Sequence, residues 1–209
     1  KRSEHMEKPN KDLFEKIVKI AQNRGFVFNA SSIYGGLRSS YDYGPLGALL
    51  KENISQLWWK ALKTSEVKIY PVDTAIIQST DVWKASGHLS EFSDPMVECK
   101  NCNSRFRSDS NFENVCCDQQ ELTDPKNFNL MFETNIGPVV NENSQVFLRP
   151  ETAQGIFVNF ENVLRTMRAK LPFGIANIGK SFRNEITPGQ FIFRTREFEQ
   201  MEIEFFCKE

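Results

Sequence analysis

Several features that would assign this 209-residue chain to a common class are missing from it. Its 26 lysines and arginines are balanced by 27 aspartates and glutamates, so it lacks the basic excess of a free-standing nucleic-acid-binding module. It has no apolar run near the ~20 residues of a membrane span, no secretory leader pattern and no P-loop. Its five cysteines include two pairs close in sequence, which favours a reducing compartment and predicts a cytoplasmic protein.

The most informative pattern lies in residues 180–206. They read as two strands joined by a turn at Thr187, Pro188 and Gly189, because proline presets one turn dihedral and glycine accepts a positive one. Strand alternation predicts an apolar face and a polar face. The polar face consists of Asn177, Gly179, Ser181, Arg183 and Glu185 on the first strand, and of Arg194, Arg196, Phe198, Gln200, Glu202 and Glu204 on the second.

This polar face allows two interpretations. It is either a solvated surface with arginine–glutamate pairs, which contribute little stability, or a nucleotide site. In a nucleotide site the planar arginine fork binds phosphate and the ring of Phe198 offers a stacking surface for a base.

The remaining elements follow no regular β-α-β order. Apolar spacing predicts helices over residues 12–23, 46–64 and 154–170, and strands at 26–28, 67–70, 75–77, 128–134 and 146–148. Residues 39–47 are predicted as a turn-rich loop and 79–93 as a helix followed by a loop. This order predicts an α+β fold in which an antiparallel sheet is flanked by helices.

Several sequence words resemble a known family. F-R-x-E at residues 182–185, followed by R-x-x-x-F at 194–198, resembles motif 2 of class II aminoacyl-tRNA synthetases. The words IYGGLRSSYDYGPLG (33–47), ASGHLSEFSDPMVECK (85–100), NFNLMF (127–132), RPETAQGIF (149–157) and FRTREFEQMEIEFF (193–206) resemble the bacterial dimeric type of glycyl-tRNA synthetase, in that order. The resemblance extends from about residue 12 to the last residue, and words of this length are specific.

The resemblance implies the N-terminal part of a longer enzyme. Residues 6–209 would form the class II catalytic domain with motifs 1 and 2, and 94–126 would be a cysteine-containing insertion within it. Residues 1–5 show no pattern before Met6, so they are expected to be foreign to the natural chain. Motif 3 and the anticodon-binding domain would be absent, so the sheet would be incomplete at its C-terminal end and this part alone would not be fully active. The helix 46–64 and the strand after it would build the homodimer interface as motif 1, although Thr80 stands near the position where motif 1 normally ends in proline.

The implied reaction is ATP-dependent activation of glycine to glycyl-adenylate, followed by transfer to tRNA(Gly), with magnesium held mainly by the absent motif 3 region. By match to motif 2, Arg183 would be the catalytic residue and hold the α-phosphate and the glycine carboxylate. Glu185 would accept from the adenine amine, Arg194 would reach the outer phosphates, and Arg196 would instead orient Glu185 or a neighbouring carboxylate. The full ATP-binding set would be Arg183, Asn184, Glu185, Phe193, Arg194, Thr195, Arg196, Glu197 and Phe198.

Glycine has no side chain, so its ammonium is the one strong handle and carboxylates are expected around it. Glu151 is a candidate, although it would also suit the start of a helix. The glycine-binding set would be Arg107, Glu151, Phe198, Glu199, Gln200, Met201 and Glu202. His88 is assigned no chemistry, because a lone histidine is more often structural.

The cysteines leave two readings open. Cys99-x2-Cys102 is half of a zinc ribbon, but the second half would need cysteine at 119, where Gln119 stands. The adjacent Cys116 and Cys117 could both ligate only with strained geometry. A metal-free site is therefore favoured over a zinc site completed by Cys117 or Asp118, and no metal ligands are predicted.

Two other functions compete with glycine activation. One is a non-catalytic, synthetase-like binding or accessory subunit, which would be free to lose Arg183, Glu185 and Glu151; all three are present. The other is a class II synthetase for serine, threonine or proline, which the glycyl-type words disfavour.

Overall fold

The computed structural model describes residues 11–109, 116–117, 121–139, 144–186 and 189–208. The chain divides into two compact units, of which the first contains Lys1–Thr64 with Pro188–Thr195, and the second contains Ser65–Thr187 with Arg196–Glu209. Across the described residues, no helix has both the length and the apolar character needed to cross a membrane.

Among its described residues, the first unit contains two α-helices, a small hairpin and short 3₁₀ turns, one of them at Ser32–Tyr34. α1 (Lys11–Asn23) precedes β1 (Val27–Asn29), which pairs antiparallel with β2 (Tyr41–Tyr43), and α2 (Pro45–Lys63) follows with proline in its first turn. The predictions of both helices and of the first strand are confirmed. The prediction of a loop over 39–47 was wrong, because pairing with β1 makes its centre a strand that its local sequence does not indicate.

The loop at 189–195 belongs to this first unit. Phe191–Phe193 form a 3₁₀ helix, whereas the sequence predicted that these residues lie on the second strand of the hairpin. Gln190 and Phe191 have positive φ angles of 56° and 57°, which an extended strand does not allow. The Phe191 ring packs edge-to-face on Tyr41 at 5.3 Å, and the Phe193 ring lies 6.5 Å from that of Phe14.

The described part of the second unit contains three small sheets and several short helices. In chain order its elements are β3 (Ile69–Val72), β4 (Ile77–Gln78), α3 (Thr80–Ala85), α4 (His88–Glu91), β5 (Ser93–Glu98), β6 (Arg105–Arg107), β7 (Lys126–Asn129), β8 (Glu133–Asn135), β9 (Gln145–Leu148), α5 (Ala153–Val158), α6 (Phe160–Thr166), β10 (Phe173–Phe182) and β11 (Glu197–Phe206). The sheet orders are β11–β10–β3, β4–β9–β8 and β6–β5–β7. Apart from the parallel β10–β3 pair, the described pairings in these sheets are antiparallel, so the predicted α+β class is confirmed.

Two predicted elements are each divided in two. Residues 128–134 belong to β7 and β8, which lie in different sheets, because Asn129 Oδ1 accepts a hydrogen bond from the Met131 N–H at 2.8 Å and turns the chain. Residues 154–170 contain α5 and α6. They are separated at Asn159, whose side chain donates to the Gly155 carbonyl at 2.8 Å.

The main core of the second unit lies between α5, α6 and one face of the β10–β11 hairpin. Its buried residues are Ile156, Val163, Phe173 and Ile175. The Phe160 ring stacks on Phe173 at 5.7 Å and contacts Phe206 at 4.6 Å. This apolar packing fixes the hairpin that positions the polar side chains described next.

Candidate active site

The hairpin places the predicted polar residues on one face. Three cross-strand pairs share this face: Asn177 with Glu202, Gly179 with Gln200, and Ser181 with Phe198. Ser181 Oγ donates to Gln200 Oε1 at 2.8 Å and ties the two strands together. The prediction of a hairpin is confirmed, although β11 begins only at Glu197; Thr187 and Pro188 of the predicted turn lie outside the described residues.

Arg183 lies directly after β10 and is held from several sides. Its Nε donates to the Pro150 carbonyl at 3.0 Å, and its guanidinium lies over the rings of Phe92 and Phe198, at 5.6 and 5.3 Å from the ring centroids. Cation–π contacts of this kind orient a guanidinium. Because its side chain is still 31% exposed, it remains accessible to an anionic ligand.

Glu151 lies between Arg183 and His88. Its Oε2 is 3.9 Å from Arg183 Nη2, and its Oε1 is 3.5 Å from His88 Nε2. Ser86 Oγ is 2.9 Å from His88 Nδ1, so both ring nitrogens face polar atoms. The position of His88 beside Glu151 could not be predicted from the sequence, because no local pattern indicates that α4 comes to lie there.

A buried part of the same face contains acceptor atoms. Thr152 Oγ1 donates to Glu202 Oε2, and Asn177 Nδ2 donates to Thr74 Oγ1 at 2.8 Å. Asn177 Oδ1 is buried and has no hydrogen-bond partner among the described residues. A buried acceptor without a donor is costly, and a ligand with N–H groups would satisfy it.

Negative charge is concentrated at this part of the face. Burial raises the pKa of Glu204 above its ordinary value, and the charges of Glu202 and Glu151 raise that pKa further. Three carboxylates close enough to influence one another favour a cationic ligand. Arg183, at the edge of the group, provides the opposite charge.

A buried arginine lies against the same face, next to Gly179. Arg149 is 1% exposed; its Nε donates to the Lys180 carbonyl at 2.7 Å, and its Nη1 donates to the Thr74 carbonyl at 2.7 Å. Burial lowers the pKa of Arg149, and the charge of Asp73 opposes that change. A Cβ on Gly179 would lie 2.2 Å from Arg149 Nη2, so the Arg149 side chain can occupy its place only because residue 179 is glycine. Glycine inside a strand was the available sequence signal, and it was missed.

A cavity of about 610 Å³ lies between the β6–β5–β7 sheet and residues at the base of the hairpin loop. Three residues of the predicted ATP-binding set line it: Asn184, Glu185 and Arg196. Its volume lies within the range of small-molecule sites. The predicted arrangement of Arg196 near Glu185 is therefore compatible with the structure.

Arg107 is oriented by carboxylates. Its Nη1 is 3.1 Å from Asp94 Oδ1, and its Nη2 is 2.8 Å from Asp109 Oδ2. Asp109 raises the pKa of Arg107 most, Asp94 raises it less, and Glu185 adds a smaller effect. Glu185 lines the cavity, so Arg107, a predicted glycine-binding residue, interacts electrostatically with a residue of the cavity wall.

Other predicted residues are not brought to this group. Glu197, Glu199 and Met201 lie on the face of β11 opposite Phe198 and Glu202, because successive strand residues alternate. On that face Lys180 forms an ion pair with Glu197. Phe193, Arg194 and Thr195 belong to the first unit, and their nucleotide roles stay predictions.

Four cysteines meet away from the hairpin. The Sγ atoms of Cys99, Cys102, Cys116 and Cys117 all lie within 4.8 Å of one another. Hydrogen bonds from backbone N–H groups, that of Cys102 first, lower the pKa of the Cys99 thiol to about 6. Burial, followed by the neighbouring thiols, raises the pKa of Cys116 to about 12. Within the described ranges, these four cysteines form the cluster of cysteine, histidine or carboxylate groups that could hold a metal ion.

Comparisons with known proteins identify the fold. Residues 131–209 match the family described as tRNA synthetase class II core domain (G, H, P, S and T). A structure of the RNA binding domain of threonyl-tRNA synthetase from Cryptosporidium parvum Iowa II has a TM-score of 0.61 at 22% identity, covering 90% of this chain and 36% of that chain. Prolyl-tRNA synthetase from Cryptosporidium parvum has a TM-score of 0.55 at 13% identity, covering 90% and 28%. The fold is therefore that of a class II aminoacyl-tRNA synthetase.

The curated relatives that the sequence resembles are glycine–tRNA ligases, in agreement with the resemblance noted in the sequence. Glycine–tRNA ligase of Caldanaerobacter subterraneus subsp. tengcongensis is 50% identical over 96% of this chain, and that of Ureaplasma parvum serovar 3 is 52% identical over 93%. The chain spans about half the length of these relatives, 50% and 47% respectively.

Proposed function

We propose that this chain contains the site that activates glycine in a glycine–tRNA ligase. Glycine and ATP, which enters as its magnesium complex, would react to glycyl-adenylate and pyrophosphate, and glycine would then be transferred to tRNA(Gly). The best support is the position of Arg183, whose guanidinium lies over Phe92 and Phe198 with Glu151 3.9 Å away.

The first step needs positioning and charge stabilisation. A glycine carboxylate oxygen attacks the α-phosphorus, the bond from that phosphorus to the bridging oxygen breaks, and pyrophosphate leaves with the electron pair. Negative charge grows on the α-phosphate oxygens, where the oriented fork of Arg183 can donate hydrogen bonds. The protein forms no covalent bond, so a nucleophilic side chain is not required.

The carboxylates next to Arg183 suit the other end of the substrate. Glu151 and Glu202 provide acceptors for the glycine ammonium, and the unpaired Asn177 Oδ1 provides a third acceptor on this face. A larger amino acid would be rejected because it lacks space here. Steric exclusion is more selective than the ~1–3 kcal/mol that one extra methylene contributes to binding in a pocket.

The second step uses the same intermediate. A ribose hydroxyl at the 3′ end of tRNA(Gly) would attack the carbonyl carbon of glycyl-adenylate, and AMP would leave.

Three further expectations from the sequence stay predictions. They are the catalytic-domain bounds 6–209, the insertion 94–126 and the cytoplasmic location.

We propose that α2 contributes to a homodimer interface. Leu49, Ile54 and Leu57 of this helix are 63%, 50% and 68% exposed, an unusual density of apolar surface for one helix. A stable interface buries at least ~1,000 Å² in total. Sedimentation of the full-length protein at micromolar concentration is expected to show a dimer, and replacing Leu49 and Leu57 by aspartate is expected to give monomers.

Pyrophosphate exchange with a panel of amino acids tests the activity. In the full-length protein, exchange is expected with glycine and not with alanine, serine, threonine or proline. Exchange dependent on serine, threonine or proline would contradict glycine specificity. Absence of exchange with every amino acid, in protein that still binds ATP, would favour the non-catalytic accessory subunit.

A further inference from the structure

The cysteine cluster of Cys99, Cys102, Cys116 and Cys117 has the geometry of a metal site. Cys99 Sγ is 3.7 Å from Cys117 Sγ, and Cys116 Sγ is 3.9 Å from Cys117 Sγ. Four sulfurs at about 2.3 Å from a tetrahedral zinc ion are about 3.8 Å apart. We propose that these four cysteines bind one structural zinc ion. This proposal does not depend on the proposed function.

The first pair of sulfurs lies on a tight turn at the end of β5. The Cys99 N–H donates to the Ser104 carbonyl, and the Asn103 N–H donates to the Cys99 carbonyl, both at 2.8 Å. Asn103 has a positive φ of 56°, which closes the turn and brings Cys102 back towards Cys99. The backbone N–H groups of Asn101 and Cys102 point at Cys99 Sγ, and they would stabilise a thiolate ligand there.

The second pair removes the objection raised by the sequence. Adjacent Cys116 and Cys117 were expected to be unable to ligate together, yet both Sγ atoms lie within 4.8 Å of the other two. Cys117 therefore takes the place that the missing cysteine at 119 would occupy in a C-x2-C pair. Asp118 and Gln119 lie outside the described residues, and no ligand from them is needed.

The distances also distinguish zinc from other occupants. The four cysteines are free thiols rather than disulfides. An iron–sulfur cluster would need space for bridging sulfides between the cysteine sulfurs. Sulfurs 3.7 and 3.9 Å apart leave room for a single ion, and a closed set of four thiolates is typical of structural zinc.

The proposed ion would connect two parts of the chain next to the cavity. It would join the β5–β6 turn to residues 116–117, and β5 and β6 supply Met96, Glu98 and Arg105 to the cavity wall. A zinc ion would therefore hold the shape of this wall while lying outside the group around Arg183.

The test is metal content of the full-length protein, purified under reducing conditions from zinc-supplemented cells and dialysed against a chelator. About one zinc per chain is expected, falling to near zero in Cys99→Ser and Cys117→Ser. Cys207→Ser is the matched control, because Cys207 is exposed and lies outside the cluster. This variant is expected to retain about one zinc per chain. Thiol titration without denaturant is expected to find Cys207 reactive and the four cluster thiols protected until the metal is removed.

A readout on the unmodified protein covers the case in which a variant fails to fold. Apoprotein titrated with cobalt(II) is expected to develop thiolate-to-cobalt charge-transfer absorption that saturates at one equivalent. No such absorption, bound iron in place of zinc, a disulfide within the cluster of freshly reduced protein, or full zinc retention in Cys117→Ser would each overturn the proposal.

Discussion

The two ends of the β10–β11 hairpin use the same sheet face for different purposes. At the end that includes Phe173 and Phe206, apolar side chains pack against α5 and α6. At the end that includes Ser181 and Phe198, the face contains carboxylates, a buried amide and, just beyond the strand, Arg183. Polar groups buried at this density are costly, and the packed end provides free energy that offsets the cost.

This comparison predicts that substitutions at the two ends change different measurements. At the packed end they should lower the free energy of unfolding and affect activity only through loss of folded protein. At the polar end, substitutions of accessible side chains such as Arg183 should lower activity and leave the unfolding free energy nearly unchanged, whereas substitutions that displace buried groups there should lower both.

The largest effect is expected at the packed end. Phe173→Ala should lower the unfolding free energy by about 3–5 kcal/mol, because the ring is buried and a cavity would remain. Denaturant unfolding measures this loss. Phe157→Ala, on the same side of the unit but 52% exposed, is the control and should lose much less. Equal losses for the two variants would show that the packed end does not stabilise the hairpin.

The next effect belongs to the polar end. Arg183→Ala should lower the rate of glycine-dependent pyrophosphate exchange by about 10²–10³, because the charge that Arg183 neutralises grows in the transition state. Arg183→Lys should not restore the rate, since an ammonium cannot replace a planar fork. The exposed Arg165→Ala on α6 serves as control. Near-normal exchange in Arg183→Ala would exclude this hairpin as the activation site.

Gly179→Ala examines how Arg149 is held against the polar end. Its Cβ would lie 2.2 Å from Arg149 Nη2, so the buried arginine would have to move away from its carbonyl partners. A cost of about 1–3 kcal/mol in unfolding free energy is expected, together with lower exchange activity. At Gly174 a Cβ would meet Ile69 at 3.2 Å, so Gly174→Ala should cost less and spare activity. A neutral Gly179→Ala would show that Arg149 is not held as tightly as its hydrogen bonds indicate.

The smallest effect is a pH dependence of the stability that arises from Glu204, which lies between the two ends of the hairpin. Because burial raises the pKa of Glu204, the folded state binds this proton more tightly than the unfolded state. Stability should therefore fall as pH rises from the unfolded pKa to the raised folded pKa, and it should stay lower above that interval. Glu204→Gln should raise Tm near neutral pH and leave it unchanged at pH values below both pKa values. The exposed Glu161→Gln should show no such difference.

Local patterns were sufficient for much of the hairpin. Alternation along residues 180–206 predicted the shared face of Ser181, Phe198 and Glu202, which the strand register confirms. The same reasoning extended the second strand too far towards its N-terminal end. Gln190 and Phe191 adopt positive φ angles there, and apolar periodicity does not indicate such a turn.

Contacts between distant segments could not be read from local patterns. His88 meets Glu151 and Arg149 meets Gly179 only after the chain has folded, and each of these residues alone has an ordinary structural explanation. Spacing rules likewise disfavoured a metal site at Cys117, although the folded backbone brings its sulfur to Cys99.

The contacts of Phe191 with Tyr41 and of Phe193 with Phe14 have a consequence for biosynthesis. About 150 residues separate Tyr41 from Phe191, and at roughly 5–20 residues per second the ribosome needs on the order of ten seconds to make them. Through that interval the helix and hairpin at the start of the chain lack their later aromatic partners. Newly made chains should therefore bind chaperones through Phe14 and Tyr41 until the hairpin loop has been synthesised.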